Sequence, residues 1–350
     1  MIKKLVDSDF ETVELQHVPM EFSRDMDEIG RFQWGKLIRL PILIARIWKV
    51  RFQGNCATLY YPPGGESNTA ILRDIAVLLT CRILFSEVIF HAHAGGFTDI
   101  VKQAPWPVRC LALRAYRKPD LFIQLTNMSP PDGAVIRAKR IVSLPCGLPD
   151  DAARYAGPSG RAENSSNIRL LFVGVVSRSK GVMVLLEACA RLKVKDVTFH
   201  LRIIGRFHSP EFEAECLAFI QDHDLVQEVE FLGVRTGDDK WEEYCATDIF
   251  CFPSHFESEN QPLVILEAMQ FGLPSVATDW RSISTMVEDG QTGYIVPTED
   301  SKALAERITY LVRHPELRRK LGQNARQAFL EKYTDAVWRS QIETMLCGAT

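Results

Sequence analysis

The stretch DIFCFPSHFESENQPLVILEAMQFGLPSVAT, residues 248–278, predicts a strand, a loop, a helix and a second strand. DIFCFP (248–253) and PSVAT (274–278) are continuous short apolar runs, and the helix PLVILEAMQFG lies between them. Strand–helix–strand units of this length form parallel sheets, whose strands are apolar throughout because helices cover both faces. The stretch therefore predicts one βαβ unit of a parallel sheet.

The same alternation of strands and helices extends over the rest of the chain. In the C-terminal half we predict further strands at 169–174, 197–205, 229–233 and 294–297. We predict helices there at 180–193, with apolar residues at 182, 185, 186, 189 and 192, and at 210–223, 301–312, 315–331 and about 335–346. In the N-terminal half we predict strands at 56–62, 87–93, 120–125 and 140–145. We predict helices there at 35–52, 68–84 and 103–117. The predicted fold class is α/β, with two doubly wound, Rossmann-like domains.

Length and charge also indicate two domains. The chain has 350 residues, more than one core of average size holds. Residues 1–150 carry an excess of basic side chains and the remainder an excess of acidic ones. Residues 151–167 are rich in Gly, Ser and Asn and predict a linker. A C-terminal domain then spans 168–331, and the helical segment 332–350 is expected to pack back on the first domain.

Composition excludes several classes of protein. The sequence contains no run of about 18 uncharged apolar residues, which a membrane-spanning helix needs, and its N-terminus lacks the apolar core of a secretory signal. The nine cysteines form no C-x-x-C pair, which favours reduced thiols and a cytoplasmic protein. The basic half carries no helix-turn-helix, zinc-finger or RNP pattern, so we expect no nucleic-acid partner.

Two carboxylates in the opening stretch are candidates for a functional site. Glu259 follows a buried strand, and Glu267 lies eight positions later inside the helix, whose start holds Asn260, Gln261 and Pro262. Backbone N–H groups at a helix start bind phosphate, and a carboxylate two turns further on can accept hydrogen bonds from a ribose diol. The ordinary preference of helix starts for acidic residues explains the same pattern, so both interpretations stay open at this point.

The stretch FHAHAGGF (90–97) is the candidate in the N-terminal half. His91 and His93 alternate along a predicted strand and so face the same side, and Gly95 and Gly96 allow a close approach to the backbone. A His-x-His pair can chelate zinc, but we find no third ligand at a credible spacing. A strand histidine bonded to backbone is the remaining alternative.

These motifs resemble those of the group-1, family-4 glycosyltransferases. The pattern Glu, seven residues, Glu-Ala-Met and then G-x-P-x-x-x-T, at 259–278, is similar to the signature of that family. FVGVVSRSKGVMVLLEA (172–188) resembles its pyrophosphate loop, VEDGQTGYIVP (287–297) the turn that follows the signature, and FHAHAGGF its H-x-H-G-G segment. The resemblance covers nearly all of 168–331 with order and spacing preserved.

The resemblance implies a GT-B fold, in which two such domains face each other across a cleft. It also implies transfer of a sugar from a nucleoside-diphosphate-sugar to a hydroxyl acceptor, with retention, by front-face attack with a phosphate oxygen as base. We expect no cofactor and no metal, because a lysine and helix-start amides would neutralise the departing diphosphate. The implied acceptor is a carbohydrate or lipid-linked molecule, in polysaccharide or glycolipid synthesis.

By the same resemblance the catalytic residues are His93, Lys180 and Glu259. Glu267 is the ribose carboxylate, and Lys180 and Glu259 are joined in the donor site by Gly174, Arg178, Asn260, Gln261 and Pro262. The acceptor side is assigned to His93 together with His91, Gly95 and Gly96. The arginine that the family carries after the loop glycine falls on Val175, and Arg178 is the candidate to replace it.

Two departures from the family pattern keep other functions open. Val175 is one of them. The other is the N-terminus, which lacks the apolar strand and glycine-rich loop with which the family begins. The first domain is therefore expected to lack its first strand, as in an N-terminally truncated chain. A catalytically silent sugar-nucleotide-binding partner and a GT-B sugar-nucleotide epimerase are the alternatives, and donor turnover separates them from a transferase.

The stretch GKLIRLPILIARIWKVRF (35–52) combines apolar residues with five basic ones. Pro41 is expected to break its first turns. The stretch predicts either an ordinary packed surface helix or a basic amphipathic helix on an anionic lipid surface. The second alternative would place a cytoplasmic protein at the inner face of a membrane, and the sequence favours neither.

Overall fold

The computed structural model describes residues 2–6, 8, 10–20, 34–54, 56–64, 68–93, 95–155 and 167–348. The chain divides into two compact units: unit 1 comprises Met1–Pro145 and Trp338–Thr350, and unit 2 comprises Cys146–Val337. The predicted linker falls mostly on 156–166, which lie outside the described residues. The C-terminal residues from Trp338 onward thus belong to the unit that begins the chain.

The secondary structure alternates between strands and helices in both units. From the start of the chain the helices and strands are α1 (Ile2–Val6), α2 (Trp34–Gln53), β1 (Thr58–Tyr61), α3 (Asn68–Cys81), β2 (Glu87–His91), α4 (Phe97–Gln103), α5 (Trp106–Tyr116), β3 (Leu121–Gln124), α6 (Asp132–Val135) and β4 (Arg140–Ser143). Unit 2 continues with β5 (Ile168–Val173), α7 (Val182–Val194), β6 (Phe199–Ile204), α8 (Pro210–Asp222), β7 (Val229–Gly233), α9 (Asp238–Ala246), β8 (Ile249–Phe252), α10 (Leu263–Gln270), β9 (Ser275–Thr278), α11 (Ile283–Met286), β10 (Gly293–Val296), α12 (Ser301–Arg313) and α13 (Pro315–Lys332). The last helix, α14 (Asp335–Cys347), crosses the division between the units.

The sheet of unit 1 is covered on both faces. Its strands are parallel, in the order β1-β2-β3-β4. Successive side chains of a strand point to opposite faces. Phe90 and Phe122 accordingly pack with α2, α3 and α5, whereas Ile89 and Ile123 pack with Trp338 and other residues of α14. The helix at the end of the chain therefore supplies a cover for one face of this sheet.

The four described strands of unit 1 pair without a gap. The predicted loss of a central strand therefore does not show as a break within the described sheet. The N-terminal segment lies beside the sheet rather than in it: Phe10, Val13 and Leu15 pack on the α14 side, and Val18 and Met20 pack on the opposite side. The chain thus passes from one face of the sheet to the other before α2 begins.

A buried carboxylate fixes the loop that follows β1. Asp74 of α3 is fully buried and accepts hydrogen bonds from the hydroxyls of Tyr61 (2.6 Å) and Tyr116 (2.8 Å) and from the Gly64 amide (2.5 Å). Arg73 supplies the positive charge, with Nη2 2.7 Å from Asp74 Oδ1. A buried charge is tolerated only when it is paired and hydrogen-bonded in this way.

Unit 2 contains a doubly wound parallel sheet, as predicted. The strand order is β10-β9-β8-β5-β6-β7, and β5 pairs with both β6 and β8. The chain first winds outward from β5 to β7 and then returns to β8 and winds the other way. Ligands of open parallel sheets bind where the winding reverses, at the carboxyl ends of the strands. In this sheet the reversal places the loops after β5 and β8 next to each other.

Two predicted helices of unit 1 differ from the structure at prolines. The predicted break at Pro41 is wrong, because α2 runs through it from Trp34 to Gln53. Pro41 is on the exposed side of the helix, where water can bond the carbonyl that the proline leaves free. The predicted helix at 103–117 begins only at Trp106, after Pro105 has separated it from α4.

None of the helices in the described ranges combines the length and apolar character that crossing a bilayer demands.

Candidate active site

Two glycines allow the loops at the switch point of unit 2 to converge. Gly181 has φ of 75°, and a Cβ atom there would lie 2.0 Å from the carbonyl oxygen of Pro253 in the loop after β8. A Cβ atom at Gly205, after β6, would lie 1.8 Å from the carbonyl oxygen of Gly174, after β5. Any side chain at either position would displace backbone. The loops after β5, β6 and β8 are thereby held together at one end of the sheet.

Lys180 and Glu259, predicted separately, meet across two of these loops. Lys180 Nζ lies 2.6 Å from Glu259 Oε2, and only 17% and 8% of the two side chains are exposed. The hydroxyl of Ser254 donates a second hydrogen bond to the same oxygen, at 2.8 Å. A charge-assisted bond at this distance is among the stronger polar contacts in proteins. The ammonium group is therefore held in a fixed place where the winding of the sheet reverses.

Glu267 is fixed by two side chains of α9. Its Oε1 accepts a hydrogen bond from Lys240 Nζ at 2.7 Å, and its Oε2 accepts one from the Tyr244 hydroxyl at 2.8 Å. Burial, and then the neighbouring Glu267, hold the pKa of Tyr244 well above its ordinary value, so Tyr244 stays a donor. Each carboxylate oxygen can accept two hydrogen bonds. Glu267 therefore retains the capacity to accept bonds from a diol.

The start of α10 lies between Glu259 and Glu267. The sequence predicts Pro262 as the first helical residue, but Pro262 is the N-cap and α10 begins one position later, at Leu263. Among the described residues no side chain caps the helix. The uncapped amides at such a start bind anions. Gln261 is buried, and its Oε1 accepts a hydrogen bond from the Cys146 amide at 2.7 Å. Asn260 is half-buried between Glu259 and Gln261.

Arg178 is not brought to the Lys180–Glu259 pair. Its guanidinium group binds the Glu215 carboxylate on α8 and lies 5.6 Å from the ring centroid of Phe212. The side chain is 61% exposed. Val175, where the family carries an arginine, is 40% exposed. To act on a diphosphate, Arg178 would first have to leave Glu215.

The two candidate histidines of unit 1 are both neutral, and His91 is fully buried whereas His93 is half-buried. Strand β2 ends at His91, so the prediction that both histidines lie on a strand is wrong for His93, although the ring centroids are only 4.2 Å apart. Burial, and then His93, hold the pKa of His91 well below its ordinary value, and burial lowers the pKa of His93 to about 4. His91 Nδ1 is bonded to the Tyr60 hydroxyl. Within the described residues His91 Nε2 and both ring nitrogens of His93 have no partner.

The glycine pair after the histidines is held by Asp132. A Cβ atom at Gly95 would lie 2.5 Å from Pro130 Cδ, and Gly96, with φ of 88°, is the N-cap of α4. The Asp132 carboxylate accepts hydrogen bonds from the Gly96 amide at 2.7 Å and from the Thr98 hydroxyl at 2.5 Å. Burial raises the pKa of Asp132 against the effect of these bonds. The turn at Gly96 and the start of α4 are therefore tied to α6.

Sequence reasoning missed the residues that hold the predicted ones in place. These are Tyr60, Asp132, Lys240, Tyr244 and Ser254. Lys240 and Tyr244 stand four positions apart on α9, which places both on one face and could have marked them as a pair. The described residues contain no group of three or more His, Cys, Asp or Glu side chains arranged to hold a metal ion. Metal independence of the reaction stays a prediction.

The C-terminal part of the chain is similar to known glycosyltransferases. The family model of the glycosyl transferases group 1 matches residues 159–328. The phosphatidyl-myo-inositol mannosyltransferase of Mycobacterium leprae is 30% identical over 174 residues, which are 49% of this chain and 44% of that protein. The N-acetyl-alpha-D-glucosaminyl L-malate synthase of Bacillus anthracis is 29% identical over 176 residues, 50% of this chain and 44% of that protein. Residues 159–328, just under half of the chain, are thus similar to the group 1 glycosyl transferases, and the matches span less than half the length of these curated relatives.

Solved structures give the fold. Anabaena HepE in complex with UDP and glucose has a TM-score of 0.65 and 18% identity, over 91% of this chain and 84% of that one. Sucrose-phosphate synthase from Thermosynechococcus elongatus has a TM-score of 0.65 and 20% identity, over 91% and 81% of the two chains. At such identities the likeness concerns the fold alone. The predicted α/β class and GT-B fold are confirmed. The double winding predicted for both domains is present in unit 2, whereas the described strands of unit 1 follow one another in chain order without a reversal.

Proposed function

We propose that the chain is a retaining, metal-independent glycosyltransferase that uses a nucleoside-diphosphate-sugar as donor. The acceptor would be a hydroxyl group of a carbohydrate or lipid-linked molecule, in polysaccharide or glycolipid synthesis. The observation that carries the proposal is the arrangement of Lys180, Glu259 and Glu267 around the start of α10, at the switch point of unit 2. The family match over residues 159–328 supports it, as do relatives named for glycosyl transfer and the UDP bound to HepE.

The donor would occupy the switch point with its charged groups matched to these residues. The diphosphate fits Lys180 and the uncapped amides of α10, and the ribose hydroxyls fit the carboxylate of Glu267. A diphosphate at Lys180 would compete with Glu259 for the ammonium group. Glu259 would then be free to accept hydrogen bonds from the sugar or to orient the phosphate. The ion pair of the ligand-free protein thus keeps both groups in place for the donor.

During transfer the bond between the anomeric carbon and the β-phosphate oxygen breaks, and negative charge grows on the diphosphate. Lys180 and the α10 amides stabilise that charge without having to reorganise. The acceptor hydroxyl forms the new bond on the same face, and its proton passes to the leaving phosphate oxygen, so the configuration is retained. His93, neutral because its pKa is about 4, would serve as a hydrogen-bonding group and not as a charged acid.

A catalytically silent sugar-nucleotide binder is the second candidate. The observation that favours it is the ion pair between Arg178 and Glu215. Of the two cations predicted for the donor site, Lys180 alone is then paired with Glu259. A panel of nucleotide-sugars, assayed for release of free nucleoside diphosphate with and without acceptors, separates the candidates. Turnover of a donor supports the transferase. Binding without turnover supports the silent partner, and conversion to a different nucleotide-sugar supports an epimerase.

A cytoplasmic location is part of the proposal. None of the nine cysteines, which all lie in the described ranges, forms a disulfide bond, and reduced thiols are the state that the cytosol maintains. Cell fractionation of the tagged full chain tests the location. Recovery of the protein from a compartment that forms disulfides would contradict it.

Replacing Glu267 by alanine should weaken the binding of the nucleoside diphosphate about 10- to 100-fold, because a charge-assisted hydrogen bond is worth about 1.5–3 kcal/mol. Titration calorimetry with UDP and GDP measures the effect. Glu306→Ala, which removes an exposed carboxylate from α12 of the same unit, is the matched control and should bind as the unaltered protein does. Equal affinity of the Glu267 variant and the control would refute the ribose assignment.

Transfer activity should survive an excess of EDTA. The physical reason is that Lys180 and the α10 amides take the place that a divalent cation has on the diphosphate in metal-dependent enzymes. The measurement is the initial rate on the active donor before and after dialysis against EDTA. Complete loss of activity that manganese or magnesium restores would show that the proposed metal-independent mechanism is wrong.

A further inference from the structure

Three helices of unit 1 form a layer on one face of its sheet. Buried residues of α2, α3 and α5 share a single core with β2 and β3; they include Leu43, Ile47, Ile75, Ala112 and Tyr116. α3 packs against both α2 and α5. The outer face of this layer is the side that points away from the sheet.

Helix α2 is apolar on its outer face as well as on its core side. Three large apolar side chains are well exposed there: Ile42 by 50%, Trp48 by 43% and Phe52 by 68%. Arg46 and Lys49 are exposed beside them. At 3.6 residues per turn, these five positions fall within an arc of about 160°. A helix of a globular protein is normally polar on its solvent side. Packing in unit 1 explains the apolar residues on the core side of α2 but not those on its outer face.

Helix α5 repeats this combination of residues. Trp106 is 69% exposed and Leu113 is 41% exposed. Arg109 and Arg114 are exposed on the same helix, while Ala112 and Ala115 face the core. The outer face therefore carries a tryptophan, further apolar side chains and at least two arginine or lysine side chains on each of its two flanking helices.

The charge of the layer has one sign. The sequences of the three helices contain eight basic residues, five in α2, one in α3 and two in α5. They contain one acidic residue, Asp74, and it is fully buried and bonded to Tyr61 and Tyr116. The helices thus present no carboxylate on the outer face to balance the cations. Such a surface attracts anions over a Debye length of about 10 Å at 0.1 M salt.

We propose that the outer face of α2, α3 and α5 binds the surface of a bilayer that contains anionic lipid. Trp48, Phe52 and Trp106 insert at the level of the headgroups, and Arg46 and Lys49 bind lipid phosphates. Aromatic and arginine side chains are also common in protein interfaces, so the charge decides between a lipid and a protein partner. The helices of the outer face expose cations with no carboxylate among them, and the uniformly negative surface of an anionic bilayer complements that charge over its whole area. The inference concerns unit 1 and does not depend on the proposed activity.

Co-sedimentation of the full chain with vesicles tests the proposal. We expect binding to vesicles of phosphatidylcholine with phosphatidylglycerol, weak binding to phosphatidylcholine alone, and release at 1 M salt, where the Debye length is about 3 Å. The double variant Arg46→Gln/Lys49→Gln should bind about 30-fold more weakly, since each cation near the surface contributes about fivefold. Phe52→Ser and Trp106→Ser should each weaken binding by about tenfold.

Matched controls come from unit 2. Arg313→Gln/Lys320→Gln removes the same charge from exposed positions, and Val194→Ser removes an apolar side chain that is 84% exposed. Both controls should bind as the unaltered chain does, and all variants should keep its circular dichroism spectrum. No preference for anionic vesicles, or equal loss in variants and controls, overturns the proposal. A dimer in lipid-free sedimentation velocity that Phe52→Ser dissociates would assign the surface to a second copy of the chain and overturn it too.

Discussion

Replacing Lys180 by methionine should lower kcat on the active donor about 100- to 1,000-fold, the usual cost of removing one preorganised group that stabilises developing charge. Lys180 Nζ is held 2.6 Å from Glu259 Oε2 at the start of α10, where a departing diphosphate would lie. Its interaction grows as the glycosidic bond breaks, because the leaving group gains charge in that step. The loss should therefore fall mainly on kcat, with a smaller change in KM.

Two further variants make the Lys180 result interpretable. Lys302→Met removes an exposed lysine from α12 in the same unit and should leave kcat unchanged. Lys180→Arg keeps the charge and should recover part of the activity. The methionine variant leaves the buried Glu259 carboxylate with the hydroxyl of Ser254 as its hydrogen-bond donor, so its circular dichroism and thermal melting must be compared with those of the unaltered chain. A folded variant whose kcat falls less than about threefold would remove Lys180 from the mechanism.

Local patterns were sufficient to predict most of unit 2. The apolar positions predicted for the helix after the first strand, 182, 185, 186, 189 and 192, are all buried in α7. The strands at β5 to β10 lie within a residue or two of their predicted positions. Helical and strand periodicity are properties of short segments. A segment that is buried on both faces, such as β5 or β8, therefore carries its own signature.

Unit 1 shows where local patterns stop being informative. The effect of Pro41 depends on which side of α2 it occupies, and that is set by the packing of the helix on β2 and β3. The end of β2 at His91 is set by its pairing with β3, whose last paired residue in that register is Ile123. Neither fact can be obtained from the segment itself, because each depends on residues distant in the sequence.

The residues of the candidate site also fall into two groups: those that local motifs predict and those that the fold places beside them. Lys180 and Glu259 were recognisable as members of two motifs, and the reversal of winding between β5 and β8 brings them into contact. The partners of Glu267 and His91 were not recognisable, since Lys240 and Tyr60 belong to segments without a motif. Motifs mark residues that contact ligands, whereas the residues that position them are determined by the fold. Glu215 on α8, which binds Arg178, is likewise a residue that the fold places and no motif marks.

Replacing Trp338 by alanine should destabilise unit 1 by about 3–5 kcal/mol, the usual cost of deleting a large buried aromatic side chain. Trp338 is 1% exposed and packs with Leu5, Ile89 and Ile342 in the core between α14 and the sheet. Its ring also lies 4.5 Å from Lys4 Nζ. The effect should appear in β2 and β3, although these strands are more than 200 residues away in the sequence.

Hydrogen exchange measured by mass spectrometry resolves the effect by unit, which a single melting temperature of a two-unit chain does not. Peptides covering β2 and β3 should exchange at least about 100-fold faster in Trp338→Ala, whereas peptides covering β5 and β8 should be unchanged. Trp106→Ala is the matched control, because it removes the same side chain from a position that is 69% exposed and should shift stability by less than about 0.5 kcal/mol. Unchanged protection of β2 in Trp338→Ala would mean that α14 adds nothing to the stability of the face it covers. The expected loss would instead show that the last helix is as necessary to unit 1 as the helices that precede it in the chain.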